Sequence, residues 1–208
     1  ERLRTFTGDT KPVTLLDNYR HIYSFAESIL DRLSLWSHGM DAFEFKIHGL
    51  EHLEKYHAEG RGAVLIGAHL GSFDMLRGVA LDNNIPVSVI MHDANAARIN
   101  EAFETLDPSA NLRIINADPN SPQAAFEVKH CLARGEFVAT LADRVPTLDQ
   151  TRVIHTDFLG VRAAFPEGPF LLPIVLRVPV VLTIAIRTGA RRYEIFFEPI
   201  ADGHPVPK

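Results

Sequence analysis

The chain has 208 residues, 46% of them hydrophobic, with 21 basic and 26 acidic residues and a formal net charge of −5. That length and apolar content suffice for one α/β domain burying a sizeable core of its own. The acidic balance supplies no global attraction to nucleic acid or to an anionic membrane, so nucleic acid is not expected as a partner and any membrane contact has to be local and largely apolar.

Asp17 is placed to cap a helix running to about Ser37, in which Ile22, Ala26, Ile29, Leu30 and Leu33 recur at three- and four-residue spacing as one apolar face, with Gly39 past its end. Phe43, Phe45 and Ile47 alternate with Glu44, Lys46 and His48, the pattern of a half-buried strand, and a short helix follows, closing at Gly60. Strands are then expected over 63–68, 87–91, 112–116 and 137–141, with helices over 72–81, 94–106 and 122–134 between them. Continuous apolar strands alternating with helical patterns predict a mainly parallel central sheet flanked by helices on both faces. After Pro146, strands are expected over 152–155, 180–186 and 193–197, with a helix over 169–176. The clusters Asp107-Pro108 and 118–122 read as turns within one domain. The expectation is a single domain over 1–208, with an N-terminal helical region 1–40 and an α/β core 41–200.

The run 170–186 is the longest membrane-span candidate, but it carries Arg177 and is interrupted by Pro173 and Pro179, so it falls short of the ~18–20 uncharged apolar residues a span needs. The single cysteine, Cys131, cannot form an intramolecular disulfide and reads as core packing, compatible with a reducing compartment.

His69 and Asp74 carry the most information. The apolar run 63–68 delivers His69 to its carboxyl end, and a helical pattern starts at once with Asp74 in its first turn. Open α/β sheets place their chemistry at such strand ends. Histidine exchanges a proton near neutral pH, and a carboxylate on its other ring nitrogen fixes tautomer and orientation, so His69 reads as base and Asp74 as orienter. Gly67, Gly71 and Gly78 bracket the pair and allow backbone to approach a substrate closely. The plainer reading of a histidine at a strand end is a hydrogen bond to backbone.

Asp143 and Arg144 follow the apolar run 137–142 and are expected on the same sheet edge as His69. Arginine holds phosphate or carboxylate bidentately, which suits a substrate-binding role; the alternative is a local Asp143–Arg144 ion pair that stiffens the loop. Glu167 and Gly168 precede Pro169 at a helix start, where free N–H groups suit an anion or oxyanion, or where Glu167 simply complements the helix dipole. Asn95 and Arg98 also follow a strand and are candidates for lining the acceptor side of a cleft, against the plainer reading of a solvated helix N-terminus. His48, His52 and His57 span a strand end and a helix with no paired cysteine, so they read as exposed polar surface, and no metal site is expected. Arg187, Arg191 and Arg192 surround Gly189 in an expected hairpin loop, solvated or touching lipid head groups. Ser72 reads as a helix cap, and no GxSxG elbow, Walker A run, GxGxxG, CxxC or basic-aromatic interleaving occurs.

The stretch GAHLGSFDMLRG resembles the HxxxxD block of the lysophospholipid acyltransferase superfamily, specifically its lipid A biosynthesis (lauroyl/myristoyl) acyltransferase branch. The runs 141–146 and 158–170 resemble later blocks of that branch in the same order, and the resemblance covers about 50–200. It implies the acyltransferase fold of that superfamily and transfer of a fatty acyl group from an acyl-carrier-protein or coenzyme A thioester to a hydroxyl or amine of a lipid-like acceptor: a glycolipid, aminolipid or polyene lipid. The thioester is a co-substrate, and no cofactor is implied. His69 would be the general base and Asp74 its orienter, acting by direct transfer since no nucleophile stands out. The implied place is the cytoplasmic face of the bacterial inner membrane, peripheral or anchored by a segment absent from this chain. Phe165-Pro166-Glu167-Gly168 matches the phosphate-binding block of glycerolipid acyltransferases, but Pro169-Phe170-Leu171 stands where those continue Thr-Arg-Ser, which weakens the case for a glycerol phosphate acceptor. A thioesterase using the same dyad on water, or a non-catalytic lipid-binding domain, are the alternatives. Phe170, Leu171, Leu172, Ile174 and Val175 are more apolar than one amphipathic helix needs and suggest a groove for the acyl chain, or core.

Overall fold

The computed structural model describes residue 8 and residues 12–91, 113–116, 123–145 and 152–203. The expected helix over 94–106, with Asn95 and Arg98, lies outside the described residues.

The chain opens with helix α1 (Leu15–His38), followed by β1 (Glu44–His48), α2 (Leu50–Ala58), β2 (Val64–Gly67), α3 (Phe73–Asp82), β3 (Val87–Met91) and β4 (Arg113–Asn116). Next come α4 (Gln123–Ala133), β5 (Phe137–Leu141), β6 (Val153–Phe158), β7 (Val161–Pro166), α5 (Gly168–Leu176), β8 (Val180–Gly189) and β9 (Arg192–Ala201). Seven strands form one sheet in the order β1-β9-β8-β2-β5-β3-β4. All neighbours run parallel except β8 and β9, the hairpin around Gly189. The mainly parallel α/β reading is borne out, and the sheet is mixed by that one hairpin.

Strand β2 sits at the centre and is buried along its whole length. Its residues and the preceding Ala63 alternate between two cores: Ala63 and Leu65 join Met75 and Val79 of α3 and Leu53 of α2 on one face, whereas Val64 and Ile66 join Val128 and Cys131 of α4 on the other. The period-2 alternation of a strand thereby serves two apolar layers, which is why the run is continuously apolar. Each fully buried aliphatic side chain there contributes about 1.5–3 kcal/mol relative to exposure. Cys131 is fully buried, with Ser88 Oγ 3.6 Å from its sulfur.

Three local expectations change. The cap of α1 is Thr14, with Asp17 as its reciprocal partner three residues on: the Asp17 N–H donates to the Thr14 hydroxyl and the Thr14 N–H to the Asp17 carboxylate. Side chains of that length close this box from the position outside the helix, so Asp17 lies in the first turn. The segment 161–166, to which the sequence pattern assigns no element, is strand β7, paired antiparallel with β6 through a tight turn at Leu159 and Gly160, whose φ values of 51° and 74° are those of a twisted two-residue hairpin. The apolar run of α5 divides: Phe170 and Leu172 pack against the α4 core, while Leu171, Ile174 and Val175 are exposed.

Candidate active site

Strands β2 and β5 are parallel neighbours, with Gly67 opposite Leu141. Two residues beyond that pair, past the end of each strand, stand His69 and Asp143. The register therefore fixes their meeting before any side chain is considered, and the Ala142 N–H donates to the Gly67 carbonyl at 3.0 Å to hold it. His69 Nδ1 lies 2.9 Å from Asp143 Oδ1, and the His69 main-chain N–H donates to Asp143 Oδ2 at 2.9 Å. One carboxylate grips both the ring and the backbone of the histidine.

Burial pushes the Asp143 carboxyl up, but the hydrogen bonds from the His69 ring and backbone, with the electrostatic attraction of that ring, outweigh it, so the carboxyl ionises below its ordinary value. An ionised acceptor on Nδ1 makes that nitrogen the donor and leaves Nε2 with the lone pair. The ring is about half exposed, so a substrate proton can reach it.

Asp74 is elsewhere engaged. It is buried in the first turn of α3, where a carboxylate complements the helix dipole. Arg32 of α1 places its Nε 2.6 Å from Asp74 Oδ2. The structure thus brings Asp143, rather than Asp74, to the histidine ring, and uses Asp74 to tie α1 to α3. Beside Asp74 a cleft of about 250 Å³ lies between these helices, lined by Leu35, Trp36, Met40, Arg77 and Leu81 among others.

The segment between His69 and α3 is pinned from below. The Ser72 N–H donates to the Ala185 carbonyl of β8 at 2.9 Å, and the Ser72 hydroxyl caps α3 by accepting from the Met75 N–H at 3.4 Å. Gly71 has a φ of 81°, and a Cβ there would run into the Ala185 carbonyl oxygen. Gly71 is needed for this approach of backbone to backbone, and Gly78 for contact with the Met40 side chain. The expected role of these two glycines, room for a substrate, gives way to packing.

Arg144 is exposed and makes no hydrogen bond or ion pair among the described residues, so the local pair with Asp143 is not formed. Glu167 and Gly168 stand at the β7–α5 junction, Glu167 at the cap position without a side-chain cap and its N–H bonded to the Arg152 carbonyl at 3.1 Å. Among the described residues no hydrogen bond or ion pair joins them to His69. Arg187, expected in a solvated loop, is instead half-buried and forks onto Glu27 at 2.8 and 3.1 Å while its Nε reaches Asp31 at 3.0 Å. Burial raises the Tyr193 hydroxyl far above its ordinary value, reinforced by its 2.8 Å hydrogen bond to Asp31. His48 lies 2.8 Å from Glu194 and stacks on Phe196 at 4.7 Å. Among the described residues no group of three or more metal-ligating side chains converges.

The partner of His69 could have been found in the sequence only by knowing that β2 and β5 are adjacent. Asp143 was legible as a residue of the same sheet edge, but its link to His69 is a matter of strand order.

Residues 20–206 match the family described as bacterial lipid A biosynthesis acyltransferase, and the chain belongs to that family. Membership makes it an acyltransferase acting on a lipid-like acceptor. No individual curated protein matches it.

Proposed function

We propose that this member of the bacterial lipid A biosynthesis acyltransferase family transfers a fatty acyl group from an acyl-carrier-protein or coenzyme A thioester to a hydroxyl or amine of a glycolipid, aminolipid or polyene lipid, with His69 as general base and Asp143 as its positioning residue. The observation that supports it most is the double grip of Asp143 on His69, at 2.9 Å to the ring and 2.9 Å to the backbone N–H. That grip holds a base with its free nitrogen at the carboxyl edge of a parallel sheet.

His69 Nε2 takes the proton of the acceptor as its oxygen or nitrogen attacks the thioester carbonyl carbon. The carbon–sulfur bond then breaks, and the imidazolium returns the proton to the departing thiolate. Asp143 stabilises the imidazolium in between, and proton transfer by the imidazole it positions contributes about 10²–10⁴-fold. The exposed Arg144 beside it is the cation we assign to an anionic group of donor or acceptor. Asp74 acts through Arg32, fixing the first turn of the helix that follows the base. Glu167 and Gly168, at the start of α5, are candidates for an anion or oxyanion site, and Asn95 and Arg98 for the acceptor side of the cleft. The sheet is, in this reading, the acyltransferase fold of the lysophospholipid acyltransferase superfamily. A soluble thioester and a lipid acceptor meet at a water–lipid boundary, for which we infer the cytoplasmic face of the bacterial inner membrane.

Thiol release from an acyl thioester tests the reading. Release is expected to depend on added bacterial lipid extract and to fall at least about 10²-fold in His69→Ala, with cooperative unfolding retained. Release that is equally fast without acceptor would mark a thioesterase, and release unchanged in His69→Ala would remove the base from the mechanism.

A further inference from the structure

Strand β5 ends at the carboxyl edge of the sheet, and β8 begins at the opposite edge, level with Val64 at the start of β2. Helix α5 is the element of that crossover that runs back across the sheet. Its start, and the β6–β7 hairpin that leads into it, therefore belong to the edge that carries His69 and Asp143. The Glu167 N–H donates to the Arg152 carbonyl at 3.1 Å, which extends the hairpin pairing by one step and sets Arg152 opposite Glu167 at its foot.

Alternation along the two strands sorts their side chains onto two sides. One side carries Ile154 beside Phe165, Thr156 beside Ala163, and Phe158 beside Val161 at the tip. Arg152 has the same parity and stands at the foot of that side. His155, Asp157 and Arg162 fall on the other side. Ile154 is 42% exposed and Phe158 53%, and the Phe158 ring meets Phe165 edge-on at 5.6 Å. Among the described residues neither strand packs extensively on any element but the other. A two-stranded hairpin is marginal in water unless its apolar side is covered. This one leaves that side open.

Two observations select what covers it. The first is charge. Arg152 is exposed and forms no ion pair among the described residues, with Glu167 or with any other carboxylate, so its donors are available to an anion. The open side is apolar for about 20 Å, six residues at 3.4 Å each, and ends in that guanidinium. Such a surface complements an amphiphile with an anionic head and one long hydrocarbon tail. The second is place. The foot lies at the His69 edge, in a member of a family that acts on a lipid-like acceptor.

We propose that the open side of the β6–β7 hairpin is the docking track of the lipid acceptor. A hydrocarbon tail lies along Ile154, Thr156 and Phe158, and Arg152 holds an anionic group of the head at the foot, which presents the attacking hydroxyl or amine at His69. This rests on the lipid acceptor of the reading above and adds where that lipid is held.

Hydrogen exchange of the whole chain with dodecyl phosphate, kept below its micelle concentration and with no acyl donor present, tests it. At about ten times its Kd the amphiphile is expected to slow exchange of the amides of 153–166 about tenfold, because a ligand that binds only the closed hairpin suppresses its opening in proportion to occupancy. Phe158→Ser and Ile154→Ser are each expected to raise that Kd about tenfold at an unchanged melting temperature, and Phe158→Leu to change it little. Arg152→Gln is expected to weaken dodecyl phosphate severalfold and to leave dodecyl maltoside unaffected. Inorganic phosphate is expected to give no protection. Absence of protection at 153–166, protection that both serine substitutions leave intact, or an equal effect of inorganic phosphate would each overturn the proposal. So would protection by phosphatidylglycerol vesicles alone, the mark of a hairpin dipping into a bilayer, or a dimer in light scattering that Phe158→Ser dissolves. The measurement reads no turnover, so its failure and the failure of acyl transfer are separate results.

Discussion

Asp143 reaches His69 across 74 residues of chain, whereas Asp74 is only five residues away and faces α1 instead. Chain proximity pointed to Asp74 because a carboxylate in the first turn after a strand-end histidine is a sound local pattern. The local pattern omits the competing cation: Arg32 comes from another helix and nothing in the spacing announces it. Asp143 was legible as a residue of the right sheet edge, and its neighbour Arg144 is left exposed beside it. Arg144→Lys keeps the charge but loses the planar fork, so a bidentate anion contact is expected to weaken by about 1–3 kcal/mol, read as a fall in kcat/KM of roughly tenfold or more at unchanged melting temperature. Full activity together with a higher melting temperature would make Arg144 a surface residue only.

At the scale of elements, periodicity located most strands and helices, since a strand buried on both faces and an amphipathic helix each have a sequence signature. It did not say which way α1 faces. The apolar stripe was visible, but the side that docks is decided by Arg187 and Tyr193, which lie on β8 and β9 more than 150 residues later. Hairpin strand β7 was hidden because its residues Arg162, Ala163 and Ala164 lack β-branched or aromatic side chains, and its pairing with β6 depends on the Leu159-Gly160 turn. The Arg187 network yields a prediction of its own. Arg187→Ala strands two carboxylates against one another, and the domain is expected to lose about 1–3 kcal/mol in urea unfolding, the modest end for a partly buried pair broken from one side. Arg187→Lys is expected to recover part of the loss by keeping the charge. Unchanged stability in Arg187→Ala would mean that α1 is held by Leu35, the Tyr193–Asp31 hydrogen bond and the Arg32–Asp74 pair without help from Arg187.

For the whole molecule, the class of sheet followed from alternating apolar strands and helices, but the order β1-β9-β8-β2-β5-β3-β4 did not. Strand order is set by which faces bury best against each other over long sequence separations, and no local pattern encodes it. The order matters because it puts β5 beside β2 and, through a register of Gly67 against Leu141, sets Asp143 on His69. That juxtaposition is the central claim, and kcat for acyl transfer in Asp143→Asn, Asp143→Glu and Asp74→Asn tests it most directly. Asp143→Asn is expected to lower kcat at least about tenfold with KM and melting temperature held, since the amide cannot stabilise the imidazolium, and Asp143→Glu to restore part of it. Asp74→Asn is expected to lower the melting temperature by about 2–6 °C through its weakened tie to Arg32 and to retain more turnover than Asp143→Asn. Wild-type turnover in Asp143→Asn beside an inactive, fully stable Asp74→Asn would contradict the account.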